Sequence, residues 1–345
     1  MNNLMKLKKV RLLRKWDILF NSNDVGANSM IRNVNDFSVH RFDSNPIISQ
    51  QDLKEAGLSG SITHPSLIKV PSWISNPLGK YYIYFADHYG KFIRLAYSDS
   101  LHGPWRIYNR GTLYLKNSFC HHHIASPHIY VDEKNKQLRM YYHGFPQKSR
   151  INIPEPEWIN KALPKGMQDQ KSFMATSTDG INFISSGKIV APWYVRTFAW
   201  KDEDYIITMP GIVAKYNPTS DVYEFVVKLF NNRFRHCDVL VVDDLLYVFY
   251  TNAGDNPEHI ICSKVVLNSE GKEWKIVETF SLVYPEMDYE GGFEPRRQSI
   301  RGGILKKVHE LRDPCIYTES GNVYMLYCGG GEHCLVISHL KGLSI

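Results

Sequence analysis

Five segments of the chain share one build: a polar start, an apolar strand, a turn, and a return strand rich in Tyr, Phe and Val. The first begins Thr63-His64-Pro65-Ser66-Leu67-Ile68 and returns through Tyr81-Tyr82-Ile83-Tyr84-Phe85. The second begins Ala125-Ser126-Pro127-His128-Ile129-Tyr130 and returns through Leu138-Arg139-Met140-Tyr141-Tyr142. A third, weaker copy runs from Val195-Arg196-Thr197-Phe198-Ala199-Trp200 to Tyr205-Ile206-Ile207-Thr208. The fourth pairs Arg235-His236-Cys237-Asp238-Val239-Leu240 with Leu246-Tyr247-Val248-Phe249-Tyr250, and the fifth pairs Arg312-Asp313-Pro314-Cys315-Ile316-Tyr317 with Val323-Tyr324-Met325-Leu326-Tyr327. A hairpin repeated at blade-length spacing predicts a β-propeller, because each small sheet can bury both faces only against its neighbours in a ring. The expected fold class is therefore all-β, a five-bladed β-propeller with an N-terminal extension closing the last blade.

Residues 1–60 read as that extension and residues 61–345 as the propeller. Within the extension, Phe37-Ser38-Val39-His40-Arg41-Phe42 alternates like a strand. It is expected to complete the blade built from residues 312–340, which removes the open edge of a linear array. Outer strands are visible at 92–98, 172–177 and 260–265, the first two ending in the turn signals Ser98-Asp99-Ser100 and Ser177-Thr178-Asp179-Gly180. Two insertions, from Pro146 to about Lys171 and from Tyr284 to Glu310, lack a strand period. Long loops on a rigid scaffold are where binding chemistry tends to sit.

Apolar residues make up 43% and aromatic residues 13% of the chain, which excludes generalised disorder. The formal charge is +6, and the basic residues are dispersed except in the stretch from Lys6 to Lys15, read as a solvated terminus rather than a nucleic-acid contact. No secretory h-region and no membrane-spanning apolar run is visible, so a cytoplasmic protein with no membrane span and no nucleic-acid partner is expected. The six cysteines show no metal-ligand spacing, and a reduced compartment fits them.

In a propeller the inner-strand starts and the second-strand ends converge on the axis. The starts supply His64, Ser126, Arg196, His236 with Asp238, and Arg312 with Asp313; the ends supply Asp87-His88, His143-Gly144, Thr251-Asn252 and Cys328-Gly329-Gly330. Such groups are expensive to desolvate unless they are paired or bind something polar. Several also have a plain structural reading: a local ion pair for Arg312 and Asp313, a turn for Asp87-His88, a satisfied core histidine for any one of His64, His143 and His236. The run His121-His122-His123 with His128 looks like a metal cluster, but neighbours in an extended segment point alternately and cannot all reach one ion. No metal and no cofactor are expected.

These blades resemble the five-bladed propeller glycosidases around glycoside hydrolase family 43. The likeness rests on the blade pattern, on the strand start Arg312-Asp313-Pro314, and on the turn Ser98-Asp99-Ser100-Leu101-His102-Gly103-Pro104-Trp105, and it spans roughly residues 60–340. It implies a carbohydrate ligand at the axis and an acid–base pair of carboxylates. One departure is plain: where the family begins its first blade with a catalytic Asp this chain has His64, and at the second-blade start it has Ser126.

Built from the residues present, glycosidic cleavage needs one protonated and one ionised carboxyl group. Asp313, beside Arg312, is expected to be the base or transition-state stabiliser; Glu290 on the second insertion, the acid; and Asp87, a third carboxylate. His64, His128, His143, Arg196, His236, Asp238 and Arg312 are expected to bind substrate, with one of Trp73, Trp105, Trp158 and Trp193 as a stacking platform. A non-catalytic carbohydrate-binding propeller is the rival reading. A phosphorylase or glycosyltransferase would need an anion site, for which Arg296, Arg297 and Arg301 are candidates. Two acids across the pocket favour hydrolysis; one acid among many donors favours binding.

Overall fold

The computed structural model describes residues 38–151, 153–268 and 273–343. The basic stretch from Lys6 to Lys15 and Phe37 lie outside them. The described residues form five antiparallel sheets of four strands each. Blade one is β2 (Thr63–Lys69), β3 (Tyr81–Ala86), β4 (Phe92–Ser98) and β5 (Arg106–Tyr114). Blade two is β6 (Cys120–Asp132), β7 (Gln137–Pro146), β8 (Lys171–Ser177) and β9 (Ile184–Pro192). Blade three, the weakest copy in sequence, is complete as β10 (Val195–Trp200), β11 (Glu203–Thr208), β12 (Ile212–Asn217) and β13 (Val222–Lys228). Blade four is β14 (Phe234–Val242), β15 (Leu245–Asn252), β16 (Ile260–Val266) and β17 (Lys275–Val283). Blade five is β18 (Arg312–Glu319), β19 (Asn322–Gly329), β20 (Cys334–Lys341) and, at its outer edge, β1 (Ser38–Arg41).

The pairing of β1 with β20 runs from Ser38 opposite Lys341 to Arg41 opposite Ser338. Arg41 then fixes the closure, since its guanidinium donates to both carboxylate oxygens of Glu290, at 2.7 and 3.1 Å, and to the Tyr284 carbonyl at 3.0 Å. The strands are rich in Tyr, Phe and Val because a blade is buried on both faces. Tyr82, Tyr84, Tyr142 and Phe173 are fully buried in the layer that joins blades one and two, and burying such a side chain stabilises by about 1.5–3 kcal/mol. Comparable layers hold Phe234 and Val248 in blade four against blade three, and Tyr327 in blade five against Phe249. Two short helices sit outside the blades: α1 (Gln50–Glu55), capped by Ser49 and Asp52, and α2 (Trp158–Ala162) within the first insertion. All six cysteines are buried and unpaired. Among the described residues no helix is long and apolar enough to cross a membrane.

Candidate functional site

At the axial start of each blade one residue adopts a left-handed backbone: His64 (φ 55°), Ser126 (53°), Tyr194 (66°), His236 (45°) and Asp313 (53°). None is glycine, and each such conformation costs about 1–2 kcal/mol. In blades one, two, four and five the register shifts there, so that the residue bulges out of the ladder with β3, β7, β15 or β19. A bulge re-aims its side chain. Three of the five residues carry rings, and these meet across the axis: His64 lies 5.0 Å from His236 and 5.6 Å from Tyr194, and Tyr194 lies 5.4 Å from His236, centroid to centroid. Strain repeated around one axis marks it as the place where the fold holds side chains against their preference.

Tyr194, and not Arg196, is thus the blade-three member of the ring. The matching signal in sequence is Trp193-Tyr194, one step ahead of the segment that reads as the strand start. Arg196 lies two residues on, fully buried, with its guanidinium 4.4 Å over the Tyr194 ring and donating to the Tyr194 hydroxyl at 3.1 Å. That second position is structural all round the ring. Ser66 Oγ accepts from the Ile129 backbone of the next blade at 2.9 Å, and His128 Nε2 accepts from the Thr197 backbone at 3.1 Å. Asp238 Oδ2 accepts from the Ile316 backbone at 2.7 Å, and Cys315 bonds the Leu67 backbone. Arg196 has only donors, and Asp238 instead accepts from its own neighbour Val239 at 2.9 Å while Arg196 approaches it to 3.9 Å. The expectation that His128, Arg196 and Asp238 contact substrate is therefore corrected: they bind one blade to the next.

Asp313 is fully buried and forms the floor. Its Oδ2 accepts from the Thr63 hydroxyl at 2.5 Å, the His64 backbone at 3.1 Å and the Cys328 thiol at 3.3 Å. Its Oδ1 faces His236 Nδ1 at 2.7 Å and His64 Nε2 at 3.5 Å. Burial alone would raise this carboxyl, but the two imidazoles and Thr63 hold it well below the usual carboxylate range. Burial likewise depresses the imidazoles, His64 well below its ordinary value and His236, with Arg235 adding to the effect, to about 3. At neutral pH the floor is one carboxylate between two neutral imidazoles.

Arg312 is not the partner of Asp313. Its side chain leaves the strand on the other side and enters a buried cluster, with Glu310 at 2.6 Å, Glu332 at 3.0 Å and Glu258 at 3.8 Å. Arg235 reaches the same Glu258 at 3.6 Å. Successive strand residues point to opposite sides, which is why neighbours in sequence part here.

Above the floor opens a cavity of about 310 Å³. Five imidazoles line it, those of His64, His88, His123, His143 and His236. Arg235 and Arg301 line it too, and Phe145, Trp193 and Met209 give it apolar wall. Residues 166, 167, 169 and 170 of the first insertion form part of its rim. His143 is held well below its ordinary pKa and His123 at about 4, both chiefly by burial, and His143 Nδ1 has no hydrogen-bond partner. Of the four tryptophans expected as platforms only Trp193 faces this space; Trp73, Trp105 and Trp158 donate their indole N–H to Glu133, Leu101 and Tyr223.

Two expected acids lie elsewhere. Glu290 is fully buried, and its carboxylate accepts from Arg41, from the Tyr327 hydroxyl at 2.6 Å and from the backbone of Glu286 and Met287. Both of its oxygens are taken up by these donors and it does not line the cavity, so the expectation that Glu290 is the acid is corrected. Asp87 accepts from the Ser61 backbone and hydroxyl at 3.1 and 3.0 Å and lines a separate surface hollow with Tyr89 and Arg94. Asp169 is the one acid lining the cavity among the described residues.

No family model matches the chain. An uncharacterised protein of Acanthamoeba polyphaga mimivirus is 29% identical over 329 residues, covering 85% of this chain and 88% of that protein. Among solved structures, β-1,2-mannobiose phosphorylase from Listeria innocua superposes with a TM-score of 0.58 at 11% identity, covering 88% of this chain and 97% of that one. A glycosyl hydrolase from Bacteroides ovatus gives 0.57 at 10% identity over 88% and 93%. A family 43 β-xylosidase/α-arabinofuranosidase from a compost metagenome, in complex with xylotriose and calcium-free, gives 0.53 at 10% identity over 88% and 95%. The fold is that of the five-bladed glycosidase propellers.

Proposed function

We propose that this propeller is a carbohydrate-binding protein that seats a sugar in its axial cavity without the two-carboxylate hydrolytic pair. The observation that carries the reading is the commitment of the acids. Glu290 and Asp87 hold other parts of the structure together, Asp313 lies beneath His64 and His236, and the cavity itself presents five imidazoles and two guanidinium groups. Neutral imidazoles both donate and accept, which suits the vicinal hydroxyls of a sugar. Trp193 and Phe145 offer flat apolar surface for its C–H face. The volume sits at the lower end of the roughly 300–1,000 Å³ of small-molecule sites. The structural neighbours support a sugar as the ligand class, since those described include complexes with xylotriose, arabinohexaose and β-1,2-mannobiose.

A glycoside phosphorylase is the second reading, favoured by Arg235 and Arg301 on the cavity wall, where a phosphate would be drawn. One screen separates the possibilities: oligosaccharides and aryl glycosides incubated with the chain, with and without inorganic phosphate, scored for binding and for turnover. Binding without turnover is expected. Turnover that needs phosphate would move the assignment to the second reading. Phosphate-independent turnover abolished by Glu290→Gln or Asp87→Asn would overturn the first.

A further inference from the structure

The floor of the cavity has a defect as a hydrogen-bonded cluster. Thr63 gives its hydroxyl proton to Asp313 Oδ2, so its oxygen is left to receive the Nδ1 proton of His64 at 3.0 Å. His64 Nε2 is then a bare lone pair, and what it faces at 3.5 Å is another acceptor, Asp313 Oδ1. His236 Nδ1 approaches the same oxygen to 2.7 Å, yet neither atom has hydrogen-bond geometry to any partner, in residues at most 3% exposed. Three donor atoms from three blades lie within 4.8 Å of one another and aim at common ground. The buried acceptors His64 Nε2 and Asp313 Oδ1, facing each other, are stabilised by a cation between them, one that takes the place of the proton on His236 Nδ1.

We propose that the propeller axis binds a divalent transition-metal ion of the zinc class through His64 Nε2, Asp313 Oδ1 and His236 Nδ1. Two imidazole nitrogens and one carboxylate oxygen are the donor set of zinc and its neighbours, which leave a position open to water or ligand. Calcium takes six to eight oxygens and does not fit. Thr63 is the positioning residue, because it fixes the His64 tautomer and holds the far oxygen of Asp313, as outer partners of metal ligands do. The expectation of no metal is thereby revised. The ligands went unseen as a set because they are 249 and 172 positions apart in sequence for the pairs His64–Asp313 and His64–His236. In the metal-free protein Arg235, 3.2 Å from His236 Nε2, places the ring proton on Nδ1. Metal entry removes that proton and Nε2 gains one, so Arg235 turns fully to the Ile300 carbonyl, which it already meets at 3.0 Å. The site stands independently of the sugar reading.

The test uses the full chain stripped with chelator and titrated with Co(II), then Zn(II), read by ligand-field absorption and by metal content after gel filtration. One equivalent bound is expected, with Co(II) bands of a low-coordinate site displaced by Zn(II). His64→Gln and Asp313→Asn lose that equivalent, Thr63→Ala binds it about 10–100-fold more weakly, and the exposed double variant His121→Ala/His122→Ala keeps it. Circular dichroism verifies folding; where Asp313→Asn does not fold, His236→Gln serves in its place. A folded wild type that takes up no metal overturns the proposal, as do folded ligand variants that keep the full equivalent or loss of the equivalent in the His121/His122 variant.

Discussion

Burial sets the chemistry of single side chains here. His128 is locked between blades two and three as an acceptor from Thr197, and burial holds it well below its ordinary pKa. Below about pH 6.5 the unfolded chain takes up a proton at this imidazole that the folded one refuses, so stability falls with falling pH by about 1.4 kcal/mol per pH unit for each such group. Urea midpoints measured from pH 7.5 to 5.5 should decline in the wild type, with a shallower slope in His128→Gln; parallel slopes would contradict the neutral buried imidazole. Asp238 offers a second test at the same scale. Asp238→Ala leaves the Ile316 N–H unsatisfied and Arg196 without its carboxylate, a loss of about 2–3 kcal/mol by denaturant titration. Residue types gave no warning of these roles. A His or Asp two places beyond the axial position looks like a ligand in sequence, and only the repeat of the same bond in Ser66, His128, Asp238 and Cys315 reveals an inter-blade fastener.

At the scale of elements, strand periodicity was readable and side-chain direction was not. Tyr81–Ala86, Phe92–Ser98 and Leu245–Asn252 are strands where alternation and β-branched content place them. The bulge at the start of blades one, two, four and five is invisible to alternation, because one extra residue turns the following side chains to the other face. Arg312 and Asp313 part in space because successive strand residues point to opposite sides, and Tyr194 escapes the repeat because it lies one residue ahead of β10. The second insertion lacks a strand period, but Glu290 makes it a clamp on β1. Arg41→Ala leaves that buried carboxylate short of its cation and should cost about 3 kcal/mol, seen as a lower melting temperature. Glu290→Gln should likewise lower the melting temperature while leaving ligand affinity unchanged; a selective loss of affinity would restore it to the site.

Across the whole molecule, five sheets close into a ring whose axial ends carry polar groups that a purely structural centre would not need. The proposed function is placed there because the ring brings residues 64 and 313, near opposite ends of the propeller sequence, into contact over one floor. The repeat points to this address and His64 already stands in sequence where the resemblance leads one to expect an Asp, while the gathering of five imidazoles around one cavity is legible only once the blades are assembled. The most direct measurement is a glycan array probed with the wild type, with His143→Ala and Arg301→Ala in the cavity, and with Lys69→Ala on the outer surface. A sugar seated at the axis requires that a defined set of glycans bind the wild type and Lys69→Ala equally and that both cavity variants lose them; no bound glycan, or binding indifferent to His143 and Arg301, would contradict it.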